Sequence, residues 1–219
     1  RNPDTDVTII TKSKEISYAG CGLPYYVGGI IESRDELIVN SPEKYSALTG
    51  VRVLTGREAV SLDSAYRTVT ARNLISGESE NYTYDELIIT VGASAVLPPI
   101  DGITLPGVFK MRTPDDAVEL RSYLERISAK SAVIIGAGFI GLEVADNLFE
   151  KGIQITVIDS ADQIMPGVLD SELADYVRRT LTKKGIRFIT GVRADKIIGT
   201  DRAEGVSTPY GILEADIVV

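Results

Sequence analysis

The chain has 219 residues, 44% of them apolar and a quarter charged, enough to bury a sizeable core in one or two globular domains. Its net charge of −8 argues against a nucleic-acid or anionic-membrane surface, since nothing in it would replace phosphate counterions, and points to small molecules or protein as partners. There is no histidine, which removes Ser-His-Asp and Cys-His nucleophile pairs together with imidazole metal ligands. The single cysteine excludes an internal disulfide and favours a reducing compartment, the cytoplasm. No apolar run reaches the roughly 18 residues of a membrane span, and the start "RNPDTDVTII" lacks a charged-then-apolar signal architecture.

In chain order, Val7–Thr11 is an apolar β-branched run suited to a buried parallel strand. The lone Cys21 follows in "ISYAGCGLPYYVGG", among glycines, a proline and two tyrosines, and Ser41-Pro42-Glu43 reads as the capped start of a short helix. From Val51 to Val91 the pattern becomes short alternating strands, expected to form a meander that ends in a buried strand, "DELIITVG". "ASAVLPPIDGITLPG" reads as a linker. "TPDDAVELRSYLERI" predicts a capped amphipathic helix. After it, strand "SAVIIG", a helix over Phe139 to Lys151, strand "IQITVIDS", a helix over Ser171 to Lys184 and strand "IRFITG" alternate. That alternation predicts an α/β fold with a doubly wound, Rossmann-like parallel sheet, preceded by a partial domain with a β-meander. The expected division is 1–109 and 110–219.

The sharpest motif is "VIIGAGFIGLEVA", with Gly136, Gly138 and Gly141 in G-x-G-x-x-G spacing between a strand and a helix, and a second strand ending in Asp159. Gly136 permits the tight turn, Gly138 lets backbone N–H groups approach a pyrophosphate, and Gly141 lets the helix pack closely on its strand. The helix N-terminus favours the phosphates. Asp159 is placed to accept from an adenosine ribose 2′-hydroxyl and would repel a 2′-phosphate, so NADH is favoured over NADPH. Phe139 and Ile140, between the glycines, count with the cofactor-binding residues. Two plainer readings stand beside these: the glycines serve helix–strand packing alone and Asp159 caps a loop, and Glu143, one turn into the helix, is solvated rather than reaching a nicotinamide.

"ISYAGCGLPYY", with Ser17 four residues before Cys21, followed by "YDELIITVGASAVLPPI" and "VIIGAGFIGLEVA", resembles the single-cysteine branch of the flavin-dependent pyridine nucleotide-disulfide oxidoreductases. That branch comprises coenzyme A disulfide and persulfide reductases, NADH oxidases and NADH peroxidases. The resemblance implies that NADH reduces FAD and that the flavin passes electrons to a sulfur held at Cys21. Where dithiol members have a second cysteine this chain has Tyr26, so the second sulfur or oxygen comes from a small-molecule disulfide, persulfide, peroxide or oxygen. Cys21 would cycle between thiolate and a mixed disulfide or a sulfenic acid, with Ser17 hydrogen-bonding the sulfur or the incoming group. Lys12, Pro24, Gly92 and Ala93 stand at cofactor-binding positions of the family, whereas Tyr25 and Tyr26 read as packing residues.

Some positions depart from the family pattern. Thr11 replaces the acid that would hold the flavin ribose, Gly20 stands where coenzyme A reductases commonly have Asn, and Leu48-Thr49-Gly50 lacks a basic residue often found there. Against the family, the chain reads as a fragment that lacks a first flavin motif and a C-terminal dimerisation domain. The full protein is then a homodimer, and the 219-residue chain alone is expected to be colourless while retaining weak NADH binding. Three functions stay open: a disulfide or persulfide reductase, an oxidase or peroxidase working through a cysteine sulfenic acid, and a non-enzymatic nucleotide-binding module whose thiol senses redox state. A plain structural cysteine, small and buried, is the remaining reading of Cys21.

Overall fold

The computed structural model describes residues 5–219. Its elements are β1 (Thr8–Ile10), α1 (Leu23–Gly28), α2 (Pro42–Thr49), β2 (Arg52–Leu54), β3 (Arg57–Asp63), β4 (Thr68–Asn73) and β5 (Ser79–Thr83). Then come α3 (Pro114–Ile127), β6 (Ser131–Ile135), α4 (Phe139–Glu150), β7 (Gln154–Asp159), α5 (Ser171–Lys184) and β8 (Arg187–Thr190). The chain closes with β9 (Lys196–Ile198), β10 (Gly205–Thr208), β11 (Gly211–Glu214) and β12 (Ile217–Val218). They form two compact units, one from the residues up to Ala19 together with Ile38–Ala93, the other from Gly20–Leu37 and Ser94–Val219.

In the first unit β1 pairs in parallel with β2, and β3, β4 and β5 form an antiparallel meander. The sequence pattern placed the segment of β2 in the meander; the structure instead gives it to β1. β1 is parallel as expected but half-buried, because it has a single neighbour. Helix α2 begins as the sequence predicts: Ser41 accepts from the Lys44 amide at 3.2 Å, Pro42 follows, and Gly50 ends the helix at φ 73°. The strand expected over "DELIITVG" does not form. Its apolar residues have no ladder partner among the described residues, and Ile88 and Val91 are 84% and 88% exposed. An apolar run becomes a strand only where neighbouring strands take its N–H and C=O groups.

The second unit is built on a parallel sheet in the order β12-β6-β7-β8. Alternation along its strands sorts two cores. Ala132, Ile134, Ile155, Val157 and Ile217 meet apolar residues of α1, α3, α4 and α5. Val133, Ile158 and Val218 instead meet Ile197, Val206 and Ala215, from an antiparallel sheet ordered β11-β10-β9 and the residue after β11. The helices therefore cover one face of the parallel sheet and a three-stranded sheet covers the other. The linker-like stretch after Ala93 forms no helix, but its residues 107–109 run beside β12, the Phe109 amide donating to Val218 O and the Val218 amide to Gly107 O, both at 2.8 Å.

Helix α3 starts with a complete capping box: Thr113 Oγ1 accepts from the Asp116 amide, and Asp116 accepts in return from the Thr113 amide at 2.7 Å. Asp116 is buried and also accepts from the Arg112 amide at 3.1 Å. Thr113→Ala is expected to lower unfolding free energy by about 1 kcal/mol. Asp116→Ala should cost more, about 1–3 kcal/mol, because it leaves two part-buried amides without their acceptor. Urea denaturation of the two variants measures both costs.

Candidate functional site

The chain runs outward from β6 to β7 to β8 and then adds β12 on the other side of β6, so the direction of winding switches between β6 and β12. Open parallel sheets take ligands at the carboxyl ends of the strands flanking such a point. A cleft of about 560 Å3 lies there, lined by Ile135 and Gly136 from the end of β6, Val218 and Val219 from the end of β12, and Gly138 and Phe139 at the start of α4. Lys110 is the one charged side chain on its wall. Phe139 and Ile140 are 58% and 54% exposed, unusual for two adjacent large apolar residues at a helix start.

Each motif glycine has a separate physical reason. Gly136 sits at φ 115°, in the region that side chains other than glycine rarely adopt, and its amide still donates to Ile158 O at 2.8 Å. At Gly141 an added Cβ would collide with the Gly136 carbonyl oxygen, so α4 approaches the strand end as closely as a backbone can. Gly138 has an ordinary φ of −80°, and a Cβ there would meet nothing within 4 Å. No contact within the protein requires glycine at 138, and its Cβ side is open. Gly138 is also the N-cap of α4 and supplies no side-chain cap, which leaves first-turn amides facing outward. An open cradle, free amides and the positive end of a twelve-residue helix together fit a pyrophosphate.

Asp159 ends β7 and faces that turn. Its Oδ2 accepts from the Ala137 amide at 2.7 Å and its Oδ1 from the Ala161 amide at 2.8 Å. The loop-capping reading is therefore realised, and the carboxylate also holds the glycine turn. Each carboxylate oxygen keeps a further lone pair, so acceptance from a ribose hydroxyl remains open to it. The following loop is tied down as well: the Met165 amide donates to Ala137 O at 2.8 Å, and the Gly191 amide to Ala161 O at 2.7 Å. Glu143 lies one turn along α4 and, among the described residues, its carboxylate has no hydrogen-bond or ion-pair partner.

Cys21 is a free, exposed thiol in the short 3-10 turn Gly20–Gly22 that leads into α1, so the buried structural cysteine is not what forms. Pro24 is buried at the start of α1. Helix α1 packs on α4, where a Cβ on Gly28 would press into the Asn147 side chain, and on α3 through Arg121. The Arg121 guanidinium stands 4.6 Å from the centre of the Tyr26 ring. Its Nη1 donates to the carbonyls of Tyr26, Ile31 and Glu32, each at 3.1 Å. Tyr26 is thus a packed residue, as expected, and Tyr25 is exposed. Arg121 and Asn147 escaped the sequence reading because the contacts that tie them to α1 and the loop after it lie 89 or more residues away in the chain.

The remaining expected site residues belong to the first unit. Ser17 is half-buried, and its carbonyl accepts from the Val39 amide at 3.0 Å. Lys12 is exposed and forms an ion pair with Glu58 at 3.7 Å. The Glu58 carboxyl lies below its usual range, chiefly through its hydrogen bond from Arg72 and secondarily through Lys12. Gly92, at φ 70°, and Ala93 stand on exposed backbone. No metal-binding group of three or more candidate ligands occurs among the described residues, nor any helix long and apolar enough to cross a membrane.

The family model of pyridine nucleotide-disulphide oxidoreductases matches residues 1–219. A protein named NADH oxidase from Methanocaldococcus jannaschii is 34% identical over 218 residues, 100% of this chain and 48% of its own length. The NAD-dependent persulfide reductase of A. fulgidus superposes with a TM-score of 0.93 at 34% identity, over 100% of this chain and 40% of that one. An engineered water-forming NADPH oxidase bound to NADPH, made from the Lactobacillus brevis NADH oxidase, superposes at 0.88 with 26% identity over 99% of this chain and 48% of that one. The chain spans about half the length of the curated relatives it matches.

Arg121→Ala should loosen α1 and the Cys21 turn ahead of it. The expected loss is about 1.5–3 kcal/mol, for removal of a charged donor to three carbonyls, with faster labelling of Cys21 by a thiol reagent in the folded protein. Arg121→Lys, a single point charge without the planar fork, should recover only part of either quantity. Urea denaturation and labelling kinetics measure the two effects.

Proposed function

The chain belongs to the pyridine nucleotide-disulphide oxidoreductases, and on that premise we propose that the full protein passes electrons from NADH through FAD to Cys21 and reduces coenzyme A disulfide or a related disulfide or persulfide. The observation that supports this best is the glycine turn. Gly141 is demanded by internal packing and Gly136 by its backbone, whereas Gly138 answers to no internal contact and opens on the cleft.

NADH and FAD, when bound, supply a hydride and a two-electron relay; the residues of this chain bind, orient and hold. The amides at the start of α4 take the pyrophosphate, Asp159 accepts from the adenosine ribose, and Phe139 and Ile140 offer an apolar wall. The exposed Cys21 thiolate attacks one sulfur of a disulfide RSSR, forming a Cys21–S–S–R bond and releasing one RSH after protonation. Two electrons and a proton then break that bond, releasing the second RSH and restoring the thiolate. The balance is NADH + H+ + RSSR → NAD+ + 2 RSH. Tyr26 at the place of a second thiol is consistent with an external sulfur partner, and Ser17 is proposed to orient that partner. A homodimer in the cytoplasm completes the reading.

Preference for NADH rests on Asp159, whose charge opposes a 2′-phosphate. The engineered NADPH oxidase carries replacements at a glycine, at an aspartate eighteen residues later and at a proline seven residues after that. Gly141, Asp159 and Pro166 have that spacing here. A second reading, reduction of oxygen or peroxide through a Cys21 sulfenic acid, draws on the exposure of the thiol and on the relatives named NADH oxidase.

NADH consumption by the full-length protein, with coenzyme A disulfide, peroxide and oxygen offered in turn, separates these readings; fastest turnover is expected with the disulfide. Cys21→Ser should abolish disulfide reduction while leaving flavin reduction by NADH largely intact, and disulfide turnover at the parent rate would remove Cys21 as the redox thiol. NADH should bind about ten- to a hundredfold more tightly than NADPH, the range given by one charge-assisted ribose contact of about 1.5–3 kcal/mol. Equal dissociation constants would take Asp159 out of the ribose site.

A further inference from the structure

We propose that Arg121 of α3 is a positioning residue for Cys21, holding α1 at the angle from which the thiolate meets an external disulfide in line; the proposal rests on the reading of Cys21 as the redox thiol. The stretch Gly20–Leu37 belongs to the second unit, although the residues on either side of it in the chain belong to the first. Side contacts, not chain neighbours, therefore decide where it sits. Leu23, Tyr26 and Val27 of α1 are buried in the core that α3 and α4 share.

Apolar burial is non-directional, so it sets the depth of α1 and not its tilt. Direction comes from the arginine. Its guanidinium lies over the Tyr26 ring, 4.6 Å from the ring centre, and its Nη1 donates to the carbonyls of Tyr26, Ile31 and Glu32, each at 3.1 Å. One nitrogen thus ties the end of α1 to the chain that returns from it. The Arg121 Nε donates to Glu125 Oε1 at 3.3 Å, one turn along α3, which holds the fork from its other side. Arg34 adds a second link to α3, its Nη2 2.9 Å from Asp115 Oδ1, but that carboxylate is 82% exposed and a pair in open water contributes little. The Arg121 side chain is 22% exposed, and it carries the constraint.

Cys21 stands at the other end of this lever. The 3-10 turn Gly20–Gly22 runs into α1 without a break, and Pro24 stiffens the junction. Five positions separate the thiol from Tyr26. That is about 8 Å of helical rise, so a tilt of about 10° at the Arg121 end displaces the sulfur by about 1 Å. Thiol exchange is an in-line displacement: the thiolate forms Cys21–S–S–R as the S–S bond of RSSR breaks, and RS− leaves to take a proton. A misplacement of about 1 Å costs up to about a hundredfold in a step that depends on alignment. A small alkylating reagent, free to approach from any side, loses nothing by the tilt and gains from the looser turn.

Three rates in the full-length protein test this: flavin reduction by NADH, turnover with coenzyme A disulfide, and alkylation of Cys21 by iodoacetamide. Arg121→Ala is expected to leave flavin reduction within about twofold, to lower disulfide turnover at least about tenfold, and to raise alkylation at least about threefold. Opposite signs at one thiol mark lost position, whereas a residue that served stability alone would lower flavin reduction and disulfide turnover together, in proportion to the folded fraction. Arg121→Lys keeps the charge without the planar fork and should recover turnover only in part. Where Arg121→Ala does not fold, Arg121→Lys decides: slowed disulfide turnover with unchanged flavin reduction upholds the proposal, and turnover equal to the unsubstituted protein overturns it. Cys21→Ser, run beside them, separates the two claims. Parent-rate turnover in Cys21→Ser, or none in the unsubstituted protein, removes the redox reading and the proposal with it. An inactive Cys21→Ser beside an Arg121→Ala that turns over disulfide at the parent rate overturns the positioning role and leaves the reading standing.

Discussion

The Gly136–Ala137 peptide is the constraint on which the second unit depends. Its oxygen supports the start of α4 at a distance only a Cα without a side chain can take, and its N–H is held by the acid at the end of β7. Helix α4 is thereby seated over β6 and β7, which fixes the direction of its first-turn amides and the depth of its apolar face, where Leu142, Val144, Ala145 and Leu148 are buried. Packing at that density leaves little room for gradual adjustment, so a change at the turn is felt along the helix.

The same helix bears on the thiol. Helix α1, which follows Cys21 directly, lies against α4 at Gly28 and Asn147 and against α3 through Arg121 and Tyr26. The glycine turn and the Cys21 turn are thus mounted on one core, while Cys21 itself is exposed. Rigid support under an accessible thiol suits the proposed exchange with an external disulfide, because the sulfur must be both presented and held in line with the bond it attacks.

Much of the second unit was legible in the sequence, since its signals are local. Strand and helix alternate with their own periods, Thr113 announces its cap, as Ser41 does in the first unit, and the glycine spacing sits between a strand and a helix. What escaped was set by distant partners. "DELIITVG" has the composition of a strand, but strand formation needs a neighbour, and that run finds none among the described residues. β2 reads like the meander strands after it, yet its hydrogen bonds go to β1. The small sheet β9–β11 arises from four-residue or shorter strands with turns between them, too short for periodicity to declare itself. Spacing singled out Asp159, but only geometry shows that its two oxygens are already engaged by backbone amides.

A crystal structure of the full-length protein with NADH bound tests the central claim most directly. The account predicts the pyrophosphate on the amides that follow Gly138, an adenosine ribose hydroxyl within hydrogen-bond distance of an Asp159 oxygen, and the Ala137 amide still on Oδ2. A nucleotide bound elsewhere, or an Asp159 carboxylate that leaves Ala137 to meet the ribose, would contradict it.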